Sequence, residues 1–394
     1  MSLEREAGRP PTLGEAWRAG AERLGHAGVE EANADAELLL LHALGIGKAE
    51  LLRDWREPFP EEKSKAWSEL LERRETGVPV QYVVGEQHFY GRAFEVTEAV
   101  LIPRPETELL AEAVLKAGDL IWPETGSAAS GQVEQPERER ETSERRSPHL
   151  IRSEVGGSAN EQFEEPERER GATEWRSPDL IRSEVGVGAN EQFEKPERER
   201  QTSSFDAEKL SGGRDAPRPA PVVLDVGTGS GALAVTLAAE RPLWRVTASD
   251  LSEAALQVAR GNARKHGVDG RISFVQGDLL QLFLTSAAGG GLAVDILVSN
   301  PPYIPSSDIP GLQREVRDHE PRLALDGGED GLNPYRTMVR QLKELPRLPR
   351  IVAWEVGAGQ ARDVAELLRE AADWTEIHFV LDYAGIERHV VAVR

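Results

Sequence analysis

Cysteine is absent from this chain of 394 residues. The absence excludes disulfides, thiolate metal sites and cysteine nucleophiles, and it is typical of a cytoplasmic protein. The chain has eight histidines without close pairing, so a histidine-based metal site is not expected and no metal ligands are predicted.

Long hydrophobic runs are also missing. No stretch approaches the length of a membrane span. Residues 1–6 are charged and lack the apolar core of a signal peptide. The sequence therefore predicts a cytoplasmic protein with no membrane association.

Basic residues are scarce relative to acidic ones. The chain has 47 Lys and Arg against 68 Asp and Glu, for a formal net charge of −21. Nucleic-acid binding usually accompanies a net basic charge, so nucleic acid is not the expected partner, although a local basic patch remains compatible with the balance. An acidic surface suits a basic protein partner.

The N-terminal residues have helical periodicity. Thr12 followed by Glu15 matches a capping box, and further apolar helical segments extend to about residue 76. We predict an N-terminal helical domain over 1–77. A packing bundle and a substrate-binding module are equally open interpretations of it.

The next segment changes period. Residues 82–84, 89–91 and 94–96 read as short strands with glycine turns, and a helix is expected from Glu106 to Lys116. We therefore predict a β-hairpin linker and the start of a catalytic domain over 78–122.

A repeated segment follows. The sequence Pro-Glu-Arg-Glu-Arg begins at residues 136, 166 and 196, and apolar residues around it are sparse. Such a composition does not bury enough apolar surface to offset the entropy of ordering. The sequence predicts a disordered repeat insertion over 123–219.

From residue 220 to 394, apolar strands alternate with amphipathic helices. Seven strand patterns are present, at 222–226, 245–250, 271–275, 293–300, 350–355, 376–381 and 388–393. This alternation predicts a doubly wound α/β domain with a seven-stranded sheet.

Three successive strand ends carry residues suited to a nucleoside. The first strand leads into the glycine loop Gly227-Thr228-Gly229-Ser230-Gly231, the second ends at Asp250, and Asp278 follows the third. Glycines allow close backbone approach, while Asp250 could accept from ribose hydroxyls and Asp278 from an adenine amine. Taken singly, each aspartate could be a cap or a turn residue. Together the three features favour a nucleoside without pyrophosphate, and S-adenosylmethionine is the obvious candidate.

The fourth strand ends in Asn300-Pro301-Pro302-Tyr303. The Asn300 side-chain oxygen and the Pro301 carbonyl could accept both hydrogens of an –NH2 group, and Tyr303 offers a flat face for a planar group. An ordinary turn is the alternative. The extended segment at 103–108 is either a linker or a strap over a pocket, with Arg104 or Glu106 facing a ligand.

These motifs carry a resemblance. The glycine loop, the two aspartates and Asn-Pro-Pro-Tyr resemble class I S-adenosylmethionine-dependent methyltransferases. Residues 89–91, 101–108 and 320–331 look like those of the release factor glutamine methyltransferase family. The resemblance covers roughly 12–120 and 220–394, and it favours a strap at 103–108.

The resemblance implies methylation of the glutamine in the Gly-Gly-Gln motif of class 1 peptide chain release factors. The implied catalytic residues are Asn300, Pro301 and Tyr303, with the substrate also bound by Pro302, Arg104 and Glu106. The implied cofactor residues add Leu279, beneath adenine, and Asn300 to the glycine loop and the two aspartates. Methylation of a ribosomal-protein glutamine, or of an adenine amine in nucleic acid, is the alternative. We expect a monomer.

Overall fold

A computed structural model describes residues 9–123, 205, 219–284 and 292–394. The predicted repeat insertion at 123–219 lies almost entirely outside the described residues. That prediction, and the division of the chain into four segments, stay predictions.

The N-terminal region is helical, as its periodicity predicts. The predicted capping box is confirmed, because Thr12 accepts from the Glu15 backbone N–H at 3.2 Å and donates its own N–H to the Glu15 carboxylate at 2.7 Å. The helices are α1 (Leu13–His26), α2 (Ala32–Leu44), α3 (Lys48–Arg53), the 3₁₀ turn Glu61–Lys63, α4 (Ser64–Glu75) and α5 (Val80–Val84). Their apolar faces form a separate core cluster.

The prediction of a strand at 82–84 is wrong, because these residues belong to α5. Pro79 precedes the helix, and Gly85 ends it in a left-handed conformation with φ of 84°. Tertiary packing outweighs the strand propensity of valine here, since Val80, Tyr82 and Val83 are all buried. The hairpin itself is present as β1 (Glu86–Phe89) and β2 (Arg92–Glu95).

A seven-stranded sheet forms the centre of the C-terminal region, and all of its strands lie between residues 222 and 393. Its order is β5-β4-β3-β6-β7-β9-β8, with β9 antiparallel to both neighbours, which confirms the predicted doubly wound fold. The strands are β3 (Val222–Val226), β4 (Arg245–Asp250), β5 (Ile272–Gln276), β6 (Ile296–Ser299), β7 (Ile351–Glu355), β8 (Glu376–Leu381) and β9 (Glu387–Val393). The order reverses between β3 and β6, the place where such sheets bind ligands.

Helices cover both faces of this sheet. They are α6 (Pro105–Ile121), α7 (Ala232–Glu240), α8 (Glu253–Lys265), and two helices numbered α10 (Asn333–Leu342) and α11 (Ala361–Ala371). The short helix α9 (Arg314–His319) has no buried residue, and 3₁₀ turns lie at Asp269–Arg271, Gln281–Phe283, Ile309–Gly311 and Arg322–Ala324. Neighbouring strand residues enter different cores, as Val223 and Leu224 do. A sheet buried on both faces explains why its strands read as continuous apolar runs.

Candidate active site

One cavity of about 280 Å³ opens at the carboxyl ends of β3, β4, β5 and β6. Further residues from two other segments complete its wall, namely Ala99, Val100, Leu101, Pro103, Thr107, Pro321, Leu323 and Ala324. The predicted site residues that line it are Arg104, Gly227, Thr228, Gly229, Ser230, Asp250, Asp278, Leu279, Asn300 and Pro302. Glu106, Gly231, Pro301 and Tyr303 are not among the lining residues, although each is adjacent in sequence to one that is, or follows one closely.

The glycine loop is held open by its backbone geometry. Gly227, Gly229 and Gly231 all adopt positive φ, at 70°, 55° and 83°. Side chains other than glycine rarely occupy this region, so the sequence requirement is conformational. The Gly227 and Thr228 N–H groups both donate to the Ser249 carbonyl at 2.9 Å, which ties the loop to β4.

Asp225 supports this loop from beneath. Its side-chain Oδ2 accepts from the Thr228 hydroxyl at 2.6 Å and from the Ala234 N–H at 3.1 Å. Its Oδ1 has no hydrogen-bond partner among the described residues. Complete burial raises the pKa of Asp225 to about 7, although both hydrogen bonds oppose the shift.

Asp250 presents a preoriented carboxylate to the cavity. Its Oδ2 accepts from the Gly229 N–H at 2.9 Å, and its Oδ1 accepts from the Ser252 N–H at 2.8 Å. Burial raises its pKa, while these backbone donors act in the opposite direction. Each carboxylate oxygen retains a further lone pair, so the group can still accept from ligand hydroxyls.

Leu279 has unusual backbone geometry for its residue type. Its φ is 47°, a region that non-glycine residues seldom adopt. The side chain lines the cavity and also packs against the core that contains Leu280. Asp278 is exposed at the cavity wall beside it. The strained residue therefore gives this wall an apolar surface next to a carboxylate.

The Asn-Pro-Pro-Tyr corner meets the glycine loop at the cavity. A Cβ placed on Gly227 would lie 4.0 Å from the Asn300 carbonyl oxygen. The Asn300 Nδ2 donates to the Thr107 hydroxyl at 3.2 Å, and that hydroxyl donates to the buried Glu355 carboxylate at 2.6 Å. The corner is thus connected to α6 and to the end of β7.

Tyr303 is fixed by charged neighbours. Its hydroxyl accepts from Arg388 Nη2 at 3.2 Å and lies 3.5 Å from Glu355 Oε1. The Arg388 guanidinium also stacks 5.4 Å from the ring centroid. Burial raises the pKa of Tyr303 to about 12, so the phenol stays protonated at neutral pH.

The prediction that the segment 103–108 is extended is wrong beyond Arg104, because α6 begins at Pro105. Pro103 and Arg104 precede the helix and line the cavity. The Arg104 guanidinium pairs with the buried carboxylate of Glu320 at 2.5 Å while its side chain lines the cavity. Burial raises the pKa of Glu320 and the Arg104 charge lowers it in part. Glu106 is half-buried in the first turn of α6. A ligand role for either residue stays a prediction.

Two regions of this chain match known protein families. The family described as "PrmC N-terminal domain" matches residues 15–85, and one described as "Methyltransferase domain" matches residues 218–345. The release factor glutamine methyltransferase of Bacillus cereus is 32% identical over 356 residues, which cover 90% of each chain. That of Moorella thermoacetica is 32% identical over 382 residues, which cover 97% of each chain. This chain belongs to the release factor glutamine methyltransferase family.

The chain is also similar to a third curated protein and to a solved structure. The release factor glutamine methyltransferase of Bacillus subtilis is 32% identical over 97% of this chain and 98% of its own. The crystal structure of TrmN from Thermus thermophilus aligns with a TM-score of 0.30 at 25% identity over 45% of each chain.

Among the residues that the structure describes, no group of His, Asp and Glu is arranged to hold a metal ion. None of the described helices has the length and apolar character needed to cross a membrane. A methyltransferase domain implies a methyl donor.

Sequence reasoning missed three residues of this methyltransferase site. Thr107 and Arg388 carry no separate signal in the sequence, although Thr107 lies within the segment 103–108. Glu355 did give one, because a carboxylate at the end of the apolar run 351–355 has to be buried or to face a site.

Proposed function

We propose that this enzyme transfers a methyl group from S-adenosylmethionine to the side-chain amide nitrogen of the glutamine in the Gly-Gly-Gln motif of class 1 peptide chain release factors. The observation that carries the proposal is the single cavity shared by the glycine loop and Asn300. A donor held by the loop and an amide held at the corner would be neighbours there.

The cavity residues fit S-adenosylmethionine. Asp250 has acceptor capacity left for ribose hydroxyls. Asp278 and Leu279 line the same cavity, where the carboxylate would accept from an adenine amine and the leucine would offer an apolar surface to the purine. The position of a Gly227 side chain is open, with no contact nearer than 4.0 Å, so a ligand can approach the backbone. When bound, the donor supplies a methyl group on a positively charged sulfur.

The Asn-Pro-Pro-Tyr corner supplies orientation. An amide nitrogen is a poor nucleophile, because its lone pair is delocalised into the carbonyl. If Asn300 Oδ1 and the Pro301 carbonyl accept its two N–H groups, they favour a pyramidal nitrogen whose lone pair points at the methyl group. Charge that develops on nitrogen meets preorganised acceptors. Tyr303 would pack against the amide plane, and alignment of the reacting atoms does the remainder. The nitrogen that gains the methyl group loses one of its two protons, which the positive charge makes acidic, so no strong base is needed, and the donor is left as a neutral sulfide.

The decisive experiment is methyl transfer from labelled S-adenosylmethionine with purified proteins. The acceptors are a class 1 release factor, the same factor with its Gly-Gly-Gln glutamine changed to alanine, a ribosomal protein known to be methylated on glutamine, and duplex DNA. We expect label on the intact factor alone. Label on DNA or on the ribosomal protein instead would contradict the proposed substrate.

A further inference from the structure

A buried hydrogen-bond chain lies directly behind the proposed substrate amide. It runs from Asn300 to Thr107 on α6 and on to Glu355 at the end of β7. Thr107 is 5% exposed and Glu355 is 1% exposed, so solvent does not compete for these bonds. These hydrogen bonds therefore act on Asn300, the side chain whose orientation matters most to the proposed reaction.

The direction of each hydrogen bond in this series, from donor to acceptor, is fixed. The Thr107 hydroxyl has a single hydrogen, and it donates that hydrogen to Glu355 Oε2 at 2.6 Å. The hydroxyl oxygen is then an acceptor only toward Asn300. It is matched by the Asn300 –NH2 group at 3.2 Å and would repel the amide oxygen.

The orientation of the Asn300 amide follows. With Nδ2 engaged by Thr107, Oδ1 is the end of the planar amide that remains for a ligand in the cavity. A flipped amide would place –NH2 against the substrate –NH2, which is donor against donor. We propose that Thr107 and Glu355 are positioning residues that hold Asn300 with its acceptor turned to the substrate amide, an inference that rests on the proposed function.

Glu355 is itself held in place and serves both sides of the corner. Its backbone carbonyl accepts from the buried Tyr335 hydroxyl at 2.6 Å. Glu355 Oε1 lies 3.5 Å from the Tyr303 hydroxyl. Glu355 Oε2, which accepts from Thr107, lies 3.8 Å from His389 Nε2. One carboxylate thus sets the position of both Asn300 and Tyr303.

The competing explanation is that Thr107 and Glu355 only tie α6 to β7. That role would appear in stability and would leave kcat unchanged in any variant that folds. The positioning role would lower kcat in a folded variant, while the affinity for S-adenosylmethionine stays near its wild-type value. Either role lowers the melting temperature, because the buried Glu355 loses a donor, so kcat is the readout that separates them.

The test compares Thr107→Val, which keeps the shape and removes the hydroxyl, with Thr107→Ser, which keeps the hydroxyl. Thr236→Val is the matched control, because Thr236 is fully buried and its hydroxyl has no partner among the described residues. We expect Thr107→Val to lower kcat on the release factor by roughly tenfold or more, the loss of one well-placed hydrogen bond. Thr107→Ser and Thr236→Val should retain most of the activity.

Two further variants keep the outcome decisive. Adding Thr107→Val to Asn300→Ala should cost much less than it does in the wild type, because both act through one amide. Glu355→Gln, which can donate to Thr107 and so reverse the chain, should also lower kcat, and it decides the matter if Thr107→Val does not fold.

Wild-type kcat in folded Thr107→Val or in Glu355→Gln would overturn the inference. Failure of the proposed function looks different, since the wild-type enzyme itself would then leave the release factor unlabelled. Calorimetric titration with S-adenosylmethionine gives a readout independent of turnover, and we expect the same Kd for the wild type and Thr107→Val.

Discussion

The Asn300 side chain is the residue on which the proposed chemistry depends most directly. Asn300→Ala removes the acceptor for the substrate amide, so we expect kcat to fall by about 10²–10³-fold, as for loss of one preorganised polar group in other enzymes. Single-turnover methyl transfer measures the effect. Asn33→Ala, at an exposed position in α2, is the control. Near wild-type turnover in Asn300→Ala would rule out this mechanism.

The buried carboxyl of Asp225 should make the stability of the protein depend on pH. Its folded-state pKa of about 7 lies above the ordinary 3.8, so between these values the native state binds a proton that the unfolded state has released. The contribution of Asp225 to the free energy of unfolding is therefore fully present below pH 4, and it is lost as pH rises through 7. Asp225→Asn cannot ionise and should abolish that loss.

Urea unfolding of the wild type and Asp225→Asn from pH 4 to pH 8 checks this prediction. The variant should gain on the wild type by roughly 1.4 kcal/mol for each pH unit within the window. Asp269→Asn, an exposed change of the same chemistry, should run parallel to the wild type. Parallel curves for Asp225→Asn would show that the buried carboxyl keeps an ordinary pKa.

At the scale of elements, the junction of the glycine loop with α7 depends on Gly231. Its φ is 83°, and a Cβ there would lie 3.1 Å from the Ala259 Cβ on α8. Gly267 also has a positive φ, of 66°, with no atom within 4 Å of its Cβ position. Gly267→Ala should therefore cost only about 1–2 kcal/mol of backbone strain.

Gly231→Ala should cost more than Gly267→Ala and should also weaken S-adenosylmethionine binding, because α8 pushes the loop out of place. Urea unfolding and calorimetric titration measure the two effects. Equal losses of stability, with unchanged affinity, would mean that the loop tolerates the extra methyl group by moving α8.

Some elements of the fold could be predicted from the sequence, and others could not. The strands of the sheet and the glycine loop were predictable because apolar periodicity and glycine are local signals. Helix α5 was not, since its valines favour a strand until the surrounding packing is known. The hydrogen bonds that hold Asn300 could not be predicted for another reason. Thr107 lies 193 positions from Asn300 and 248 from Glu355, and no local sequence pattern indicates such pairing.

At the scale of the whole molecule, one buried arginine connects the N-terminal helices with the methyltransferase region. Arg74 on α4 bonds Asp35 on α2 at 2.6 Å and Glu315 on α9 at 2.6 Å. The Arg74 and Asp35 side chains are both 7% exposed. Burial raises the pKa of Asp35 even beside this arginine, so desolvation outweighs the ion pair.

Arg74→Met should destabilise the protein by about 3–5 kcal/mol at pH 7, because it leaves Asp35 buried without its counter-charge. The deficit should be smaller at pH 4 than at pH 7, because burial raises the pKa of Asp35 and a lower pH favours its uncharged form. Adding Asp35→Leu should restore most of the stability. Urea unfolding at both pH values measures it, with the exposed Arg53→Met as control. If Arg74→Met loses no more than Arg53→Met, apolar packing alone joins the two regions and the ion pair adds only specificity of contact.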